Sequence, residues 1–310
     1  MNESIEKTVV REITAPSSDG THSLIGRLYL PEGTPKGLFH VVHGMTEYIG
    51  RYDGFMRSMC EAGYAVFGFD NLGHGNTARP GELGFIAHEN GWDLLARDVD
   101  AMRKSAAEAV GGDLPYYLMG HSMGSFIVRI AADGYVTPRK LIVMGTGGPN
   151  PATGAGKFLV KITKKAKGEK HISKFIDDIA FGSYNKKFKD ENDKHAWLTK
   201  DVEIRKRYDA DPFCNYKFTV SAMGDLLELT DRCNKASWFE GFPADVPVLL
   251  VSGADDPVGD YGKGVQKVYD SLKKNGKNVE IKLYENNRHE ILNDTARDEV
   301  IKDIIAFIEN

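Results

Sequence analysis

The sequence contains no hydrophobic run long enough to cross a membrane. A typical apolar run is Pro247–Val251 (PVLLV), far short of the roughly 18 residues that a membrane-spanning helix needs. Cysteine is scarce: the three in the chain, Cys60, Cys214 and Cys233, are an odd number without metal-ligand spacing. We therefore expect neither a membrane-spanning chain nor a disulfide scaffold, and predict free structural thiols in a reducing compartment.

No charge of one sign dominates: the chain has 40 Lys and Arg and 44 Asp and Glu, which gives a formal net charge of -4. An acidic chain without a recognisable nucleic-acid-binding module gives no support for nucleic-acid binding. Residues 1–7 carry acidic side chains and lack an apolar core, so they do not predict a secretory signal, and we expect a cytoplasmic location. With 41% hydrophobic residues in 310, the chain can bury a sizeable core.

Short apolar segments alternate with helical patterns from residue 38 to about 145, and again from 247 to the end. This alternation predicts an α/β fold, with a mostly parallel sheet covered by helices. Eight strands are predicted, at Val9–Ile13, Leu24–Leu30, Leu38–Val42, Ala65–Phe69, Tyr116–Met119, Leu141–Met144, Val248–Val251 and Val279–Tyr284. Helices are predicted at Tyr52–Ala62, Gly91–Val110, Ser122–Asp133, Tyr261–Lys274 and Ala296–Glu309.

Residues 150–242 interrupt this alternation and lie between two segments rich in glycine and proline. We interpret them as a mainly helical insertion, with a core made of residues 1–149 and 243–310. The insertion has 18 Lys and Arg against 14 Asp and Glu, whereas the rest of the chain has 22 against 30. The two parts therefore differ in the sign of their net charge.

Lys157 to Lys174 is the most basic part of this insertion, with seven lysines and one glutamate. Apolar residues are interleaved with the lysines in an amphipathic pattern. Such a pattern is typical of a solvated helix face, but it also suits contact with an anionic membrane surface or a phosphate-bearing substrate. Both interpretations stay open from the sequence.

The strongest local motif is Gly120-His121-Ser122-Met123-Gly124, a G-x-S-x-G sequence between a predicted strand and a predicted helix. A sharp turn at this place exposes the serine hydroxyl above the sheet, and glycines avoid clashes with the neighbouring strand and helix. The helix N-terminus also offers unpaired N–H groups to a developing oxyanion. We therefore predict that Ser122 is a nucleophile.

A nucleophilic serine needs a base and an acid that orients the base, and in this topology they follow the serine in the order acid, then histidine. His289 follows the last predicted strand and is the predicted base. Asp255 and Asp256 follow the strand before it. We favour Asp256 because it lies three residues after Gly253, which ends that strand.

The oxyanion hole of such a site combines the N–H after the nucleophile with an N–H from the loop after the third strand. Met123 and Met45 occupy these positions, and Gly44 lets the backbone approach a substrate. Only the backbone of the two methionines is invoked. This chemistry requires no metal and no cofactor, and we predict none.

Three motifs together resemble the α/β-hydrolases, specifically the branch of monoacylglycerol lipases and lysophospholipases. His43–Tyr52 (HGMTEYIGRY) is similar to that branch's H-G-x-x-E-H-x-x-R-Y, Asp70–Gly75 (DNLGHG) is similar to its D-x-x-G-H-G, and the third is the G-x-S-x-G sequence. The resemblance spans essentially the whole chain and implies a cap after the sixth strand of the core. It also implies a catalytic triad and an oxyanion hole at Ser122, Asp256, His289, Met45 and Met123.

Two residues depart from the pattern of this branch: Tyr48 stands where it often has His, and Ser125 where a second Gly is common. Neither belongs to the predicted triad, but both could alter the substrate pocket. Glu47, Arg51 and His74 are expected to form hydrogen-bonded scaffolding around the site.

The resemblance implies a serine hydrolase that cleaves carboxylic esters of monoacyl lipids, either monoacylglycerol or lysophospholipid. A small-ester carboxylesterase, a serine aminopeptidase and a non-catalytic interaction protein stay as alternatives on the same fold. The apolar side chains of the insertion could line an acyl tunnel or pack the cap onto the core, and packing is expected for most of them. They are Phe158, Leu159, Ile162, Phe175, Ile176, Ile179, Phe181, Trp197, Phe213, Phe218 and Trp238.

Overall fold

The structure is a computed structural model, and it describes residues 8–310. The segment 1–7, which does not predict a secretory signal, lies outside the described residues. The strands are β1 (Val9–Pro16), β2 (Ser23–Leu30), β3 (Leu38–Val42), β4 (Ala65–Phe69), β5 (Tyr116–His121), β6 (Lys140–Met144), β7 (Val248–Gly253) and β8 (Val279–Tyr284). The helices are α1 (Asp53–Glu61), α2 (Gly91–Val110), α3 (Met123–Ala131), α4 (Thr153–Lys167), α5 (Lys174–Phe181), α6 (Val202–Ala210), α7 (Val220–Arg232), α8 (Ala236–Gly241), α9 (Lys263–Lys274) and α10 (Arg297–Glu309).

The eight strands form one sheet in the order β1-β2-β4-β3-β5-β6-β7-β8. β1 and β2 pair antiparallel at one edge, and the pairs from β4 to β8 are parallel. Every residue of the central strands β3, β4 and β5 is buried, which explains why these strands read as continuous apolar runs. The predicted α/β fold with eight mostly parallel strands is confirmed.

Helices cover both faces of the sheet, and a layer of buried apolar side chains lies between the sheet and the helices on each face. α1 and α10 pack on one face, while α2, α3 and α9 pack on the other. Because the carboxyl ends of parallel strands meet at one edge of a sheet, the loops after β3, β5, β7 and β8 converge there. These are the loops that carry the predicted site residues.

The described helices α4 to α8 lie between β6 and β7, in the segment 150–242, which we call the inserted segment. α4 packs on α7, and α7 in turn packs on α2 and α3. Ile176, Phe218 and Trp238 are buried, as expected for residues that pack the segment together. Packing is expected for most and not all of the apolar residues, and four of them are exposed on an outer face of α4 and α5: Phe158, Ile162, Phe175 and Ile179.

Two predicted helix starts are shifted because the backbone is left-handed there. The helix expected from Ser122 begins at Met123, since Ser122 has a φ of 54°. The helix expected from Tyr261 begins at Lys263, since Tyr261 has a φ of 56° and Gly262 of 84°. Left-handed conformations end helical hydrogen bonding, and residue types alone do not reveal them.

The three cysteines are buried free thiols, as the sequence predicts. No helix in the range 8–310 combines the length and the apolar character that crossing a membrane would require. The cytoplasmic location stays a prediction.

Candidate active site

Ser122 lies in the sharp turn between β5 and α3, with φ of 54° and ψ of -120°. Its backbone N–H donates to the carbonyl of Met144 on the neighbouring strand at 3.0 Å. A Cβ at Gly120 would lie 2.2 Å from the carbonyl oxygen of Gly124, and a Cβ at Gly124 would lie 2.2 Å from that of Val42. Side chains at these two positions would force the turn apart, so the tight approach requires glycine.

His289 and Asp256 form a buried hydrogen-bonded pair next to this turn. The Nδ1 atom of His289 lies 2.9 Å from Oδ2 of Asp256, and both side chains are almost completely inaccessible to solvent. The carboxylate also accepts hydrogen bonds from the Ser252 hydroxyl at 3.2 Å and the Val258 N–H at 2.8 Å. Because a carboxylate accepts, Nδ1 carries the proton and Nε2 is left free to accept one.

The Ser122 hydroxyl makes no hydrogen bond with any residue in the described range 8–310. It faces a cavity that His289 also lines. In unliganded sites the bond between nucleophile and base is often loose and tightens only with substrate. The turn therefore presents an unpaired hydroxyl on the cavity that His289 also lines.

Met45 and Met123 line the same cavity as Ser122. Met123 is the first residue of α3, and Met45 follows Gly44 in the loop of residues 43–48, which we call the β3–α1 loop. A Cβ at Gly44 would lie only 2.9 Å from the Cβ of Ser122, so the loop touches the turn. Neither the Met45 N–H nor the Met123 N–H has an acceptor among the described residues, and both remain available to a ligand oxygen.

The carboxylate of Glu47, which belongs to the β3–α1 loop, fixes this loop through hydrogen bonds. Its Oε1 accepts from the Gly44 N–H at 2.6 Å and from the Tyr52 hydroxyl at 2.8 Å, and its Oε2 accepts from Arg51 at 2.8 Å. Burial would raise the pKa of Glu47, but a hydrogen bond from His121 and the charge of Arg51 outweigh it and hold the pKa well below its usual range. Glu47 is therefore a buried anion.

Arg51 ties this loop to the residue after the predicted base. Its guanidinium donates to both carboxylate oxygens of Glu290 at 2.7 Å. Burial would raise the pKa of Glu290, but the charge of Arg51 lowers it. Glu290 directly follows His289, so one buried arginine links the loop carrying Met45 to the loop carrying the histidine.

His121, directly before Ser122, contributes to the same network. Its Nδ1 lies 2.8 Å from the Tyr52 hydroxyl, and its Nε2 lies 3.2 Å from the carbonyl oxygen of His289. Burial would lower the pKa of His121, but the Glu47 carboxylate outweighs that effect and the pKa is raised. His121 therefore lies beside the Glu47 carboxylate, and this neighbour favours the charged form of the imidazole.

The cavity over Ser122 has a volume of about 610 Å³, within the range of about 300–1,000 Å³ common for ligand pockets. Core residues and residues of the inserted segment both line it. Trp197 of the inserted segment stacks near His289, with ring centroids 5.1 Å apart. The larger apolar lining residues of the inserted segment are Phe181, Trp197, Leu198, Met223, Leu226 and Leu227.

The structure brings the five predicted site residues together, and it also shows functional neighbours that the sequence analysis missed. The predicted scaffolding role is evident for Glu47 and Arg51, but their partner Glu290 was not recognised, although it directly follows His289. Tyr208, which contacts the β3–α1 loop from α6, has no sequence signal. Tyr48, the departure from the branch pattern, hydrogen-bonds Asp211 at 2.9 Å.

A mostly parallel sheet with a serine in a strand-to-helix turn after its fifth strand is the architecture of an α/β-hydrolase. The chain belongs to the α/β-hydrolase family described as serine aminopeptidase, S33, whose sequence profile matches residues 33–296.

Similar proteins place the chain more narrowly within the α/β-hydrolases. It is 28% identical to the human monoglyceride lipase over 279 residues, covering 88% of this chain and 81% of that one. It is 24% identical to the monoacylglycerol lipase of Mycolicibacterium smegmatis over 285 residues, covering 91% of each. The predicted monoacylglycerol lipase branch is confirmed.

Among solved structures, the chain resembles a thermostable carboxyl esterase from Bacillus coagulans with a TM-score of 0.91 and 30% identity. The match covers 97% of this chain and 98% of the esterase. These relatives and the fold support hydrolysis of carboxylic esters.

Proposed function

We propose that this protein is a serine esterase that hydrolyses monoacylglycerols through Ser122, His289 and Asp256. The observation that carries the proposal is the position of His289, which is paired with Asp256 at 2.9 Å and lines the same cavity as the open Ser122 hydroxyl. The N–H groups of Met45 and Met123 form the proposed oxyanion hole.

In the proposed mechanism, Nε2 of His289 accepts the Ser122 proton while Oγ attacks the ester carbonyl carbon. The carbonyl oxygen becomes an oxyanion held by the two N–H groups. The C–O bond to glycerol then breaks, and the imidazolium gives its proton to the departing alkoxide. A water molecule, deprotonated by the same imidazole, then attacks the acyl carbon, and the bond from that carbon to Oγ breaks. The imidazolium returns its proton to Oγ as the fatty acid leaves, and Asp256 stabilises the imidazolium throughout.

We assign the inserted segment, residues 150–242, as the cap over this site, with residues 8–149 and 243–310 as the core. Phe181, Trp197 and Leu227 come from three different parts of the segment, and all of them line the cavity over Ser122. An apolar wall of this kind suits an acyl chain, because burial of each methylene contributes about 0.8 kcal/mol.

The charges around the cavity favour a neutral head group over a phosphate. Of the lysines that line the cavity, Lys217 pairs with Asp177 at 2.6 Å and Lys194 with Asp209 at 3.1 Å. Arg51 is taken up by Glu47 and Glu290. Among the described residues, no lysine or arginine of the lining is left over to neutralise a phosphate, and the seven lysines from 157 to 174 do not line the cavity. We therefore favour monoacylglycerol over lysophospholipid.

A substrate panel tests this proposal. We expect the specificity constant for a long-chain monoacylglycerol to exceed that for a lysophospholipid of the same chain length by at least about tenfold, equivalent to about 1.4 kcal/mol. The panel also includes short butyryl esters and aminoacyl amides, measured by release of acid or amine under identical conditions.

Each other result of the panel points to one alternative. A wide preference for short esters would favour a small-ester carboxylesterase, a role consistent with the likeness to the Bacillus coagulans enzyme. Faster cleavage of aminoacyl amides would favour an aminopeptidase. Equal rates on monoacylglycerol and lysophospholipid would contradict the proposed preference for a neutral head group. They would not contradict the proposed esterase activity.

We further propose that the inserted segment contacts anionic lipid surfaces. Of the eight large apolar side chains exposed in the described part of the chain, five lie between residues 158 and 179. Phe158 and Ile162 are one turn apart on α4, and Phe175 and Ile179 are one turn apart on α5.

Free lysines surround these exposed apolar residues. Lys161, Lys165 and Lys167 have no acidic partner among the described residues, so their charges are available to anionic lipid. The opposite side of α5 contributes Ala180 and Phe181 to the cavity. A monoacylglycerol would therefore reach the cavity from the surface to which the segment binds.

Binding to vesicles tests the proposed membrane contact. The double variant Phe158→Ser/Phe175→Ser is expected to bind vesicles of phosphatidylcholine and phosphatidylglycerol at least about tenfold more weakly, because each buried Phe contributes about 1.5–3 kcal/mol. Cosedimentation measures the binding, and hydrolysis of a dissolved short ester checks that the site is intact.

Val202→Ser is the matched control, since Val202 is 48% exposed on α6, outside α4 and α5. It is expected to bind like the unchanged protein. The proposed contact would be contradicted if the double variant bound vesicles as strongly as the unchanged protein. It would also be contradicted if the unchanged protein did not bind vesicles.

A further inference from the structure

Thr46, directly after Met45 in the β3–α1 loop, has an unusual backbone conformation. Its φ is 52°, in the left-handed region that a β-branched residue rarely adopts. Such a conformation is energetically unfavourable and persists only when surrounding contacts hold it. Thr46 is buried, so protein groups rather than water must supply those contacts.

Tyr208 of α6 supplies two of them. Its hydroxyl donates to the Thr46 carbonyl at 3.1 Å, and the same oxygen lies 2.9 Å from the Thr46 hydroxyl. Because the only phenolic proton is used on the carbonyl, the Thr46 hydroxyl is the donor in the second bond. One side chain of the inserted segment thus fixes both the backbone and the side chain of Thr46.

Tyr208 is itself held rigidly. It is buried, the Arg51 guanidinium lies over its ring at 4.9 Å, and His195 packs edge-on against it at 4.9 Å. On the far side of Thr46 the chain is fixed by the Glu47 carboxylate and its partners. A relaxation of Thr46 to a negative φ would therefore act on Met45 and on the peptide between Gly44 and Met45, whose carbonyl oxygen lies 2.8 Å from Nδ1 of His43.

We propose that Tyr208 is a positioning residue, which holds Thr46 in its left-handed conformation and thereby aims the Met45 N–H at the substrate oxyanion. This proposal rests on the function proposed above. It implies that the oxyanion hole is complete only while the inserted segment is docked on the core. The segment then controls transition-state stabilisation as well as access to the cavity.

Tyr208→Phe tests the proposal because it removes both hydrogen bonds and keeps the ring. Complete loss of one oxyanion donor costs about 100- to 1,000-fold in kcat, so a displaced Met45 N–H is expected to cost between about 10- and 100-fold. KM for the same ester should change by less than about threefold, because the donor acts mainly in the transition state. Thermal unfolding of the variant verifies that it folds.

The decisive experiment makes the Tyr208→Phe substitution in a chain that already carries Thr46→Gly. Glycine adopts a φ of 52° without strain, so the loop no longer needs Tyr208 to stay in place. Tyr208→Phe is expected to lower kcat by less than about threefold in the Thr46→Gly background, against at least about tenfold in the unchanged chain. An equal loss in both backgrounds, or a rise in KM with kcat unchanged, would overturn the proposal.

Tyr48→Phe is the matched control. The Tyr48 hydroxyl also joins the β3–α1 loop to the inserted segment, through Asp211 at 2.9 Å, but it makes no bond to Thr46. Its loss is expected to change kcat by less than about twofold. A loss as large as that of Tyr208→Phe would mean that docking of the segment in general, and not Thr46, is what matters.

Crystal structures of the variants test the conformational step without any substrate. In Tyr208→Phe we expect Thr46 to leave the left-handed region, whereas in the double variant Thr46→Gly/Tyr208→Phe we expect the backbone at this position to remain in it. Thr46 unchanged in Tyr208→Phe would overturn the proposal even if the protein hydrolyses monoacylglycerol. Conversely, absence of all ester turnover together with the expected movement of Thr46 would contradict the proposed function and leave the positioning role supported.

Discussion

Replacing Ser122 with alanine is expected to lower ester turnover by about 10⁶-fold, as loss of the nucleophile does in other serine triads. The effect is this large because the remaining groups have no atom that can form the acyl-enzyme. The measurement is kcat on the best ester of the panel. The residual rate should match that of a variant lacking His289 as well, because the two residues act as one unit.

A serine-directed fluorophosphonate provides an independent measurement on the unchanged protein. Mass spectrometry of the digested adduct should place the label on Ser122 and not on Ser125. Ser125 is fully buried, and its hydroxyl donates to the Ser122 carbonyl at 2.5 Å, so it is neither accessible nor activated. No adduct combined with no turnover would favour the non-catalytic alternative, and an adduct elsewhere would refute the role of Ser122.

The three residues of the proposed triad could be selected from the sequence because each of them follows a strand with a clear apolar pattern. The G-x-S-x-G motif is local, and the order of strands then decides which histidine and which aspartate can reach it. His289 and Asp256 are 33 residues apart, but the predicted sheet brings the ends of their strands together. The order of the strands in the sheet, and not closeness in the sequence, therefore identifies His289 and Asp256 as partners.

Tyr208 and Thr46 could not be paired in this way. They are 162 residues apart, they belong to no shared motif, and Tyr208 lies in the inserted segment, where the strand pattern is interrupted. The left-handed φ of Thr46 is also invisible in the sequence, since threonine is disfavoured in that conformation. Contacts from a distant segment impose the conformation, so only the three-dimensional structure reveals the constraint.

The sequence could not show which apolar residues of α4 and α5 are exposed, for a related reason. Phe158 and Phe175 fit the apolar face of an amphipathic helix, which in most globular proteins packs on a core. In this chain α7 lies between α4 and the core helices, and it leaves an outer apolar face uncovered. Whether an apolar helix face is buried depends on tertiary packing, not on helical periodicity.

Asp256→Asn is expected to lower kcat by about 10⁴-fold while the fold is retained, the size of effect seen when an orienting aspartate is replaced in another serine triad. Both carboxylate oxygens of Asp256 accept hydrogen bonds, one of them from the Val258 N–H at 2.8 Å. An asparagine can satisfy that N–H only with its carbonyl oxygen, so its NH₂ group must face His289.

His289 would then accept at Nδ1 and carry its proton on Nε2, where it can no longer receive the proton of Ser122. Asp255→Asn is the matched control: the Asp255 side chain makes no hydrogen bond or ion pair with the described residues, so kcat should stay within about twofold. The two variants show which of the neighbouring residues Asp255 and Asp256 is the acid that orients His289. A large loss in Asp255→Asn with Asp256→Asn nearly unaffected would mean that the acid was assigned to the wrong residue. The 2.9 Å contact between Asp256 and His289 would then serve folding and not the orientation of the imidazole.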